Sequence, residues 1–256
     1  MLTIRPQQEE AFRQAALRRF EDDMVAHLNK FAPKHCEVIG EPAVRSVIRL
    51  GMERAKQYGF TNRGPVRFYL ELMFMFGSHF DRDPQLVWAS DILNDSGETD
   101  QQRRAERLHE STMEYLNGVV GAKREYYLAA LRRLNTASLE DFPICGVDAE
   151  EVGLRGLKMI YPQKCEFVGE KCLRLLIQHG INLARSYSVA TVPGVALFVS
   201  LAFALGYGFA DDPQFPWVSA VLKDGTVPNP QDLTERLSKR ARAYLAGVLA
   251  QSQTEE

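Results

Sequence analysis

The heptapeptide His35-Cys36-Glu37-Val38-Ile39-Gly40-Glu41 returns 129 residues later as Lys164-Cys165-Glu166-Phe167-Val168-Gly169-Glu170. Both copies place a cysteine and a glutamate ahead of a short apolar pair, a glycine and a second glutamate. Such self-similarity at a fixed spacing is typical of chains that contain one structural unit more than once. This repeated stretch decides the fold prediction, and the neighbouring sequence extends it.

A gapless alignment at the same offset gives 29 identities in 85 positions from Cys36 to Val120. The only two tryptophans of the chain, Trp88 and Trp217, are aligned with each other. This extent predicts a tandem duplication, with two pseudo-symmetric copies of one multi-helix unit. The predicted organisation is a first repeat over 1–134, a linker over 135–147 and a second repeat over 148–256.

Apolar residues within the copies recur at helical rather than strand spacing, and no run alternates apolar and polar residues between turn signals. Prolines at predicted first turns and glycines at predicted ends mark the helix boundaries. The sequence therefore predicts an all-α fold. The predicted helices of the first copy are 6–31, 41–58, 65–76, 84–93 and 100–120, the last of which continues to 134. Those of the second copy are 148–160, 170–187, 193–205, 213–222 and 230–250.

The composition is that of an ordinary globular protein, with 45% hydrophobic and 25% charged residues. The formal net charge of −2 offers no basic excess for nucleic acid or an anionic membrane. The first ten residues lack the apolar core of a signal peptide. Four cysteines without C-x-x-C spacing do not form a disulfide scaffold. We therefore expect a cytoplasmic protein.

One segment could be mistaken for a membrane span, because residues 186–210 contain no charged side chain. Proline and glycines confine its helix to about Pro193–Leu205, which at ~1.5 Å per residue is about 20 Å long. The aligned segment of the first copy carries Arg67 and Glu71, which a bilayer would not tolerate. We expect this helix to be buried in protein.

The repeated cysteines, Cys36 and Cys165, allow two interpretations. They could form a paired thiol or metal site between the copies. Alternatively, each is a small buried side chain near a helix start. The second interpretation is favoured because His35 has no histidine counterpart.

A second repeated motif, Asp-Pro-Gln-x-x-Trp, occurs as Asp83-Pro84-Gln85 with Trp88 and as Asp212-Pro213-Gln214 with Trp217. It could be a binding signature. The simpler interpretation is structural, because aspartate caps a helix, proline suits its first turn and tryptophan anchors it in the core.

No stretch of the chain carries a recognised catalytic or cofactor motif. There is no phosphate-binding loop, nucleophile elbow or pair of histidines at zinc-ligand spacing. We therefore predict no catalytic residue, metal or cofactor.

The most informative difference between the two copies lies in the aligned helices that precede the Asp-Pro-Gln-x-x-Trp motif. In the first, Arg67 and Glu71 are spaced to pair on a solvated face. The second has small residues at every fourth position, which permit close approach of another helix: Ala196, Ser200, Ala204 and Gly208. This stripe is filled either by a helix of the same chain or by a helix of a partner.

The first copy resembles a family of bacterial helical proteins associated with type VI secretion effector operons. The residues that carry the resemblance are Ile4-Arg5-Pro6, Phe12, Arg19-Phe20-Glu21, Met24-Val25, His27-Leu28, Leu72-Met73-Phe74, Gly77, Phe80 and Asp83-Pro84. The resemblance implies an accessory, chaperone-like protein that binds a secretion effector, its adaptor or a tip protein. The family's motifs are structural, so no active site is implied.

Two alternatives remain open. An immunity protein would bind a toxin domain tightly and protect against it. An enzyme would use a site between the repeats, for example one containing Cys36 and Cys165. The sequence does not determine the partner or the oligomeric state.

Overall fold

The computed structural model describes residues 5–137, 148–225 and 229–252. These residues form thirteen α-helices and two short 3-10 helices, and no β-strand occurs among them. The predicted all-α fold is confirmed.

The N-terminal half, residues 5–137, contains seven α-helices and both 3-10 helices. They are α1 (Pro6–Phe31), α2 (Pro33–Ile39), α3 (Glu41–Gln57), α4 (Arg63–Phe76), the 3-10 helices Phe80–Arg82 and Pro84–Leu86, α5 (Val87–Leu93), α6 (Gln101–Val119) and α7 (Glu125–Thr136).

The C-terminal half, residues 148–252, contains the remaining six. They are α8 (Ala149–Ile160), α9 (Pro162–Val168), α10 (Glu170–Ser186), α11 (Val192–Leu205), α12 (Pro216–Leu222) and α13 (Pro230–Ser252). Four of them, α9 to α12, begin and end 129 residues after α2 to α5.

Most of the repeated heptapeptide lies in two short helices, α2 and α9, that were not predicted from the sequence. Proline at the first position begins both α2 and α9, where a missing N–H costs no hydrogen bond. Each helix has only seven residues and ends at a glycine of positive φ, Gly40 or Gly169. This length is too short for a periodic apolar pattern to reveal.

The core lies between the paired long helices of each half. α3 packs on α4, and α10 packs on α11. Nearly the whole of α11 is buried, including Phe198 and Val199, which are fully inaccessible. Its apolar surface therefore faces protein, as expected. No helix in the described ranges has the length and apolar character needed to cross a membrane.

The first helix, α1, divides into a packed part and an exposed part. Met24 and Leu28 are buried, and this part of the helix lies on α3 and α4. By contrast, every side chain described between Arg5 and Arg19 is exposed. The apolar side chains of this helix are thus covered mainly between Phe20 and Leu28. We call residues 6–19 the α1 arm.

The two halves are joined after α7. Gly121, with φ +83°, separates α6 from α7 at the boundary between helix 100–120 and its predicted continuation. α7 continues to Thr136, so residues 135 and 136 of the predicted linker are helical. Residues 138–147, which include Cys145, lie outside the described residues.

Candidate functional site

The two Asp-Pro-Gln turns meet where the halves come together. Asp83 begins the 3-10 helix Pro84–Leu86, and its Oδ1 accepts a hydrogen bond from the backbone N–H of Gln85 at 2.8 Å. Its Oδ2 accepts another from the N–H of Tyr207, in the other half, also at 2.8 Å. The predicted cap is present, and the same carboxylate also bonds across the contact.

Asp212 makes the equivalent contacts in the opposite direction. Its Oδ1 accepts from the N–H of Gln214 at 2.9 Å, which caps its own turn. Its Oδ2 accepts from the N–H of Ser78 at 2.7 Å, and its Oδ1 accepts from the Ser78 hydroxyl at 2.6 Å. Ser78 and Tyr207 are themselves aligned at the repeat offset.

The glutamines of the motif cross in the same way. The Nε2 of Gln85 donates to the carbonyl of Ala202 at 3.2 Å, and the Nε2 of Gln214 donates to the carbonyl of Met73 at 2.7 Å. Both glutamines are more than 95% buried. The motif is therefore more than a helix start, because each turn binds the backbone of the other half.

Two glycines bring the backbones together at this contact. Gly77 and Gly206 have φ of +93° and +99°. A Cβ on Gly77 would lie 2.9 Å from the carbonyl oxygen of Leu205, and one on Gly206 would lie 2.8 Å from that of Phe76. Any larger residue would force the halves apart.

Beside this contact lies a cavity of about 330 Å³, which is within the size range of small-molecule sites. Both halves contribute to its wall. Its apolar wall includes Phe74, Phe76, Leu116, Ala130, Leu131, Phe203, Phe215 and Leu245. The polar residues at the cavity are His35, Asp83, Gln85, Tyr115, Tyr127, Tyr161, Lys164, Gln214 and Tyr244.

The aligned residues His35 and Lys164 form different hydrogen bonds at the cavity. The imidazole Nε2 of His35 lies 3.2 Å from Oε1 of Gln214. At the aligned positions, Lys164 does not bond Gln85; instead its Nζ donates to the carbonyl of Phe203 at 2.6 Å and lies 4.4 Å from the centre of that ring. The Oε1 of Gln85 has no hydrogen-bond partner among the described residues.

Burial shifts the acid–base chemistry of this cavity. Desolvation lowers the pKa of the Lys164 ammonium to about 8, and the nearby Asp83 carboxylate opposes that shift. Desolvation raises the pKa of the Asp83 carboxyl, although the N–H donors of Gln85 and Tyr207 oppose it. The pKa of His35 is lowered by burial, so its imidazole is neutral at pH 7.

The tryptophans of the motif lie against tyrosines of the cavity wall. Trp88 lies 6.3 Å from Tyr115, and Trp217 lies 5.7 Å from Tyr244, between ring centres. Both indoles are half-buried against the core. This is the anchoring position predicted for a structural tryptophan.

Cys36 and Cys165 are 3% and 4% exposed. Burial raises the pKa of the Cys36 thiol and raises that of Cys165 to about 11. Both are therefore thiols at neutral pH, and a thiol is a poor nucleophile compared with a thiolate. The described residues contain no cluster of His, Cys, Asp and Glu that could hold a metal ion.

Arg67 and Glu71 form the predicted pair, with 3.4 Å between Nε and Oε1. Glu71 also bonds the imidazole of His27 on α1 at 2.6 Å. Its carboxylate is only 15% exposed, so this face of α4 is partly covered by α1 rather than fully solvated.

The small-residue stripe of α11 lies partly against the chain itself. Ala196 is 1% exposed. Ser200 and Ala204 face a cavity of about 40 Å³ whose other wall includes Ala241 of α13. Gly208 packs directly on the imidazole of His79. The chain itself thus covers Ala196 and Gly208, whereas Ser200 is only partly covered and Ala204 is exposed.

The cavity and its polar residues are not predictable from the sequence. The one sequence feature that points to them is the exchange of His35 for Lys164 within the repeated heptapeptide, which places a different side chain at the aligned position. Comparison of the chain with protein-family models, curated proteins and solved structures finds no match.

Proposed function

We propose that this protein is a non-enzymatic accessory factor, chaperone-like in action, that binds an effector or adaptor of a type VI secretion system through its α1 arm. The partner class follows from the family resemblance of the first copy. The exposed arm supports binding to a protein.

The α1 arm presents apolar side chains to solvent. Phe12 is 66% exposed and Leu17 is 41% exposed. Glu10 pairs with Arg13 within the arm, so charged groups accompany the apolar ones. Phe12 and Leu17 are five positions apart, about 140° around the helix, so they form two separate anchors. Each can enter an apolar pocket of another protein.

The arm is also ready to bind as a helix. Isolated helices of this length are marginally stable in water because the first turn is costly to form. The arm continues directly into the buried part of α1, where Met24 and Leu28 fix the helix. Its partner therefore does not have to supply the whole cost of ordering it.

We further propose that the chain arose by duplication of one helical unit, with pseudo-symmetric halves. The shared helix boundaries and the reciprocal Asp83 and Asp212 contacts support this. The arm aligns with residues 135–148, and the described part of the C-terminal half contains no equivalent arm.

The test is co-purification of the full-length tagged protein with the products of neighbouring genes in the native host. We expect an effector, adaptor or tip protein to be retained. The variant Phe12→Ser with Leu17→Ser should lose about tenfold or more of this binding, since buried aromatic and aliphatic anchors dominate such contacts.

Leu175→Ser is the matched control, because Leu175 is 57% exposed on α10, away from the arm. It should retain the partner. Absence of any neighbouring gene product would overturn the proposal, as would equal binding by the arm variant. Tight binding to a toxin domain alone, with protection from killing, would identify an immunity protein instead.

A further inference from the structure

We propose that a groove between α2 and α13 binds a segment of another protein that presents two aromatic side chains. Ala32 and Val38 line this groove on one side, Tyr244 and Gly247 line it on the other, and its volume is about 520 Å³. We call it the α13 groove. Phe31, the last residue of α1, also borders it, so the groove lies at the opposite end of α1 from the arm. The inference is therefore independent of what the arm binds.

The aligned contact in the other half is filled by aromatic side chains. There α9 packs on α6. The ring of Phe167 lies 5.2 Å from that of Tyr115, between centres, and a Cβ on Gly118 would come within 2.9 Å of it. The hydroxyl of Tyr161, just before α9, donates to the carbonyl of Val119 at 2.7 Å. Two aromatic residues thus cover this face of α6.

The receiving face is repeated on α13. Tyr244 and Gly247 follow Tyr115 and Gly118 by 129 residues. Tyr115 is 5% exposed, whereas Tyr244 is only half-buried. A Cβ on Gly247 would meet no atom of another described element within 4 Å. This face of α13 is therefore open where the aligned face of α6 is covered.

The residues of the first half that face the groove are smaller than their counterparts. Ala32 is aligned with Tyr161, and Val38 is aligned with Phe167. The backbones match, with φ −136° and ψ 64° at Ala32 and φ −142° and ψ 74° at Tyr161. The difference between the two contacts is thus a difference of side chains. The occupant that fits the α13 groove supplies the two aromatic rings that this half lacks.

A partner protein fits the groove better than a second copy of this chain. The exposed arm of a second copy, residues 6–19, contains one aromatic residue, Phe12, together with three arginines and two glutamates. The charged residues that line the groove, Lys34 and Arg124, are both basic. Charge complementarity therefore favours a segment with an acidic residue beside its aromatic pair.

The probe is a synthetic peptide with the sequence of residues 160–170, in which Cys165→Ser prevents oxidation. It contains the aromatic pair and two glutamates. Fluorescence polarisation of the labelled peptide with the full chain should show saturable binding, with Kd below about 1 mM. A control peptide with Tyr161→Ala and Phe167→Val should bind about tenfold more weakly or less, because the aromatic anchors are removed.

Two variants of the full chain locate the site. Val38→Phe places a ring in the groove from within, as Phe167 does on α6. It should weaken peptide binding about tenfold or more and raise the midpoint of thermal unfolding by about 2–4 °C. Ala32→Tyr should weaken binding in the same way. Leu175→Phe is the matched control, because Leu175 is 57% exposed on α10 and is not part of the groove wall.

Circular dichroism of each variant establishes that it is folded; should Val38→Phe unfold, Ala32→Tyr decides. The proposal is overturned if the full chain does not bind the peptide saturably, or if the control peptide binds as tightly. It is also overturned if the folded variants bind the peptide unchanged, since the peptide would then be displacing α9.

Sedimentation equilibrium tests the second copy as an occupant. The wild type should remain monomeric at the concentrations used for peptide binding. A wild-type dimer that Val38→Phe dissociates would assign the α13 groove to self-association and overturn the proposal. The arm variant Phe12→Ser with Leu17→Ser should bind the peptide as tightly as the wild type, which keeps this test separate from that of the arm.

Discussion

The carboxylate of Asp212 accepts two hydrogen bonds from Ser78, one from its backbone N–H and one from its hydroxyl, although the two residues are 134 positions apart. Both residues are at most 1% exposed. Asp83 repeats the backbone contact in the other direction, with Tyr207. The halves are therefore joined by buried, hydrogen-bonded polar groups in addition to apolar packing.

Asp212→Asn should lower the free energy of unfolding by roughly 1–3 kcal/mol. The carboxylate accepts from Ser78 and Gln214, whereas an amide must direct its own N–H groups toward one of these donors. Urea unfolding followed by circular dichroism measures the change.

Asp211→Asn is the matched control for that measurement. Asp211 is the preceding residue, is 70% exposed and pairs with Lys223 at the surface. Surface pairs contribute little, so the change should stay within about 0.5 kcal/mol. Equal losses in both variants would contradict the importance of the buried contact.

Gly206→Ala should destabilise the protein more than Gly169→Ala. Both glycines have positive φ and extended ψ, a conformation that other residues adopt at a cost of about 1–3 kcal/mol. Only at Gly206 would the new Cβ also meet the carbonyl oxygen of Phe76, while Gly169 has open space. Thermal and urea unfolding of the two variants separates backbone strain from the steric clash; equal losses would show that the close approach is unimportant.

The stability of the protein should depend on the ionisation of Lys164. Its pKa is about 8 in the folded chain and about 10.5 in the unfolded chain, so unfolding takes up a proton between these values. The desolvated Lys164 ammonium therefore lowers the free energy of unfolding by its full amount below pH 8, and this destabilisation disappears as the pH rises toward 10.5. The wild type should therefore gain on the order of 1 kcal/mol or more relative to Lys164→Met between pH 7 and pH 10.

Urea unfolding of the wild type and of Lys164→Met at each pH gives the difference between their free energies of unfolding. The contributions of the other titrating groups are the same in both proteins and cancel in this difference. The same difference for the exposed Lys158→Met should be flat. A flat difference for Lys164→Met as well would show that its ammonium is not desolvated in the folded state.

The two parts of α1 should respond differently to truncation. Leu28→Ala removes a fully buried side chain and should cost about 2–5 kcal/mol, whereas Phe12→Ser should change stability by less than about 0.5 kcal/mol. Differential scanning calorimetry makes the comparison. A large loss from Phe12→Ser would mean that the arm packs on its own chain and is not available to a partner.

Most of the helices were predictable because their signals are local. Apolar spacing placed α3, α10 and α11 to within a few residues, with proline in the first turn of α3 and α11 and the repeat alignment for α10. The charge-free segment was assigned to the protein interior from its length and from the charged residues aligned with it. Local signals failed for α2 and α9, which are shorter than two helical periods plus caps.

The site was far less predictable than the fold. The Asp-Pro-Gln motif predicts the start of an α-helix, but Asp83 caps a 3-10 helix and Asp212 caps a turn, and α5 and α12 begin only at Val87 and Pro216. The bonds of the motif to Tyr207 and Ser78 join residues more than 120 positions apart. No periodicity within one segment encodes which remote backbone N–H a carboxylate will reach. The cavity and the burial of Lys164 likewise depend on how α4, α7, α11 and α13 meet.

The large sequence separation between Asp212 and Ser78 also affects how quickly the chain folds. Helical proteins usually fold fast because their contacts are close along the chain. Here the hydrogen bonds between the halves can form only after a loop of more than a hundred residues closes. Closing this loop costs conformational entropy. Refolding should therefore proceed in two stages: rapid helix formation within each half, then slower docking that shields the Asp-Pro-Gln turns from water.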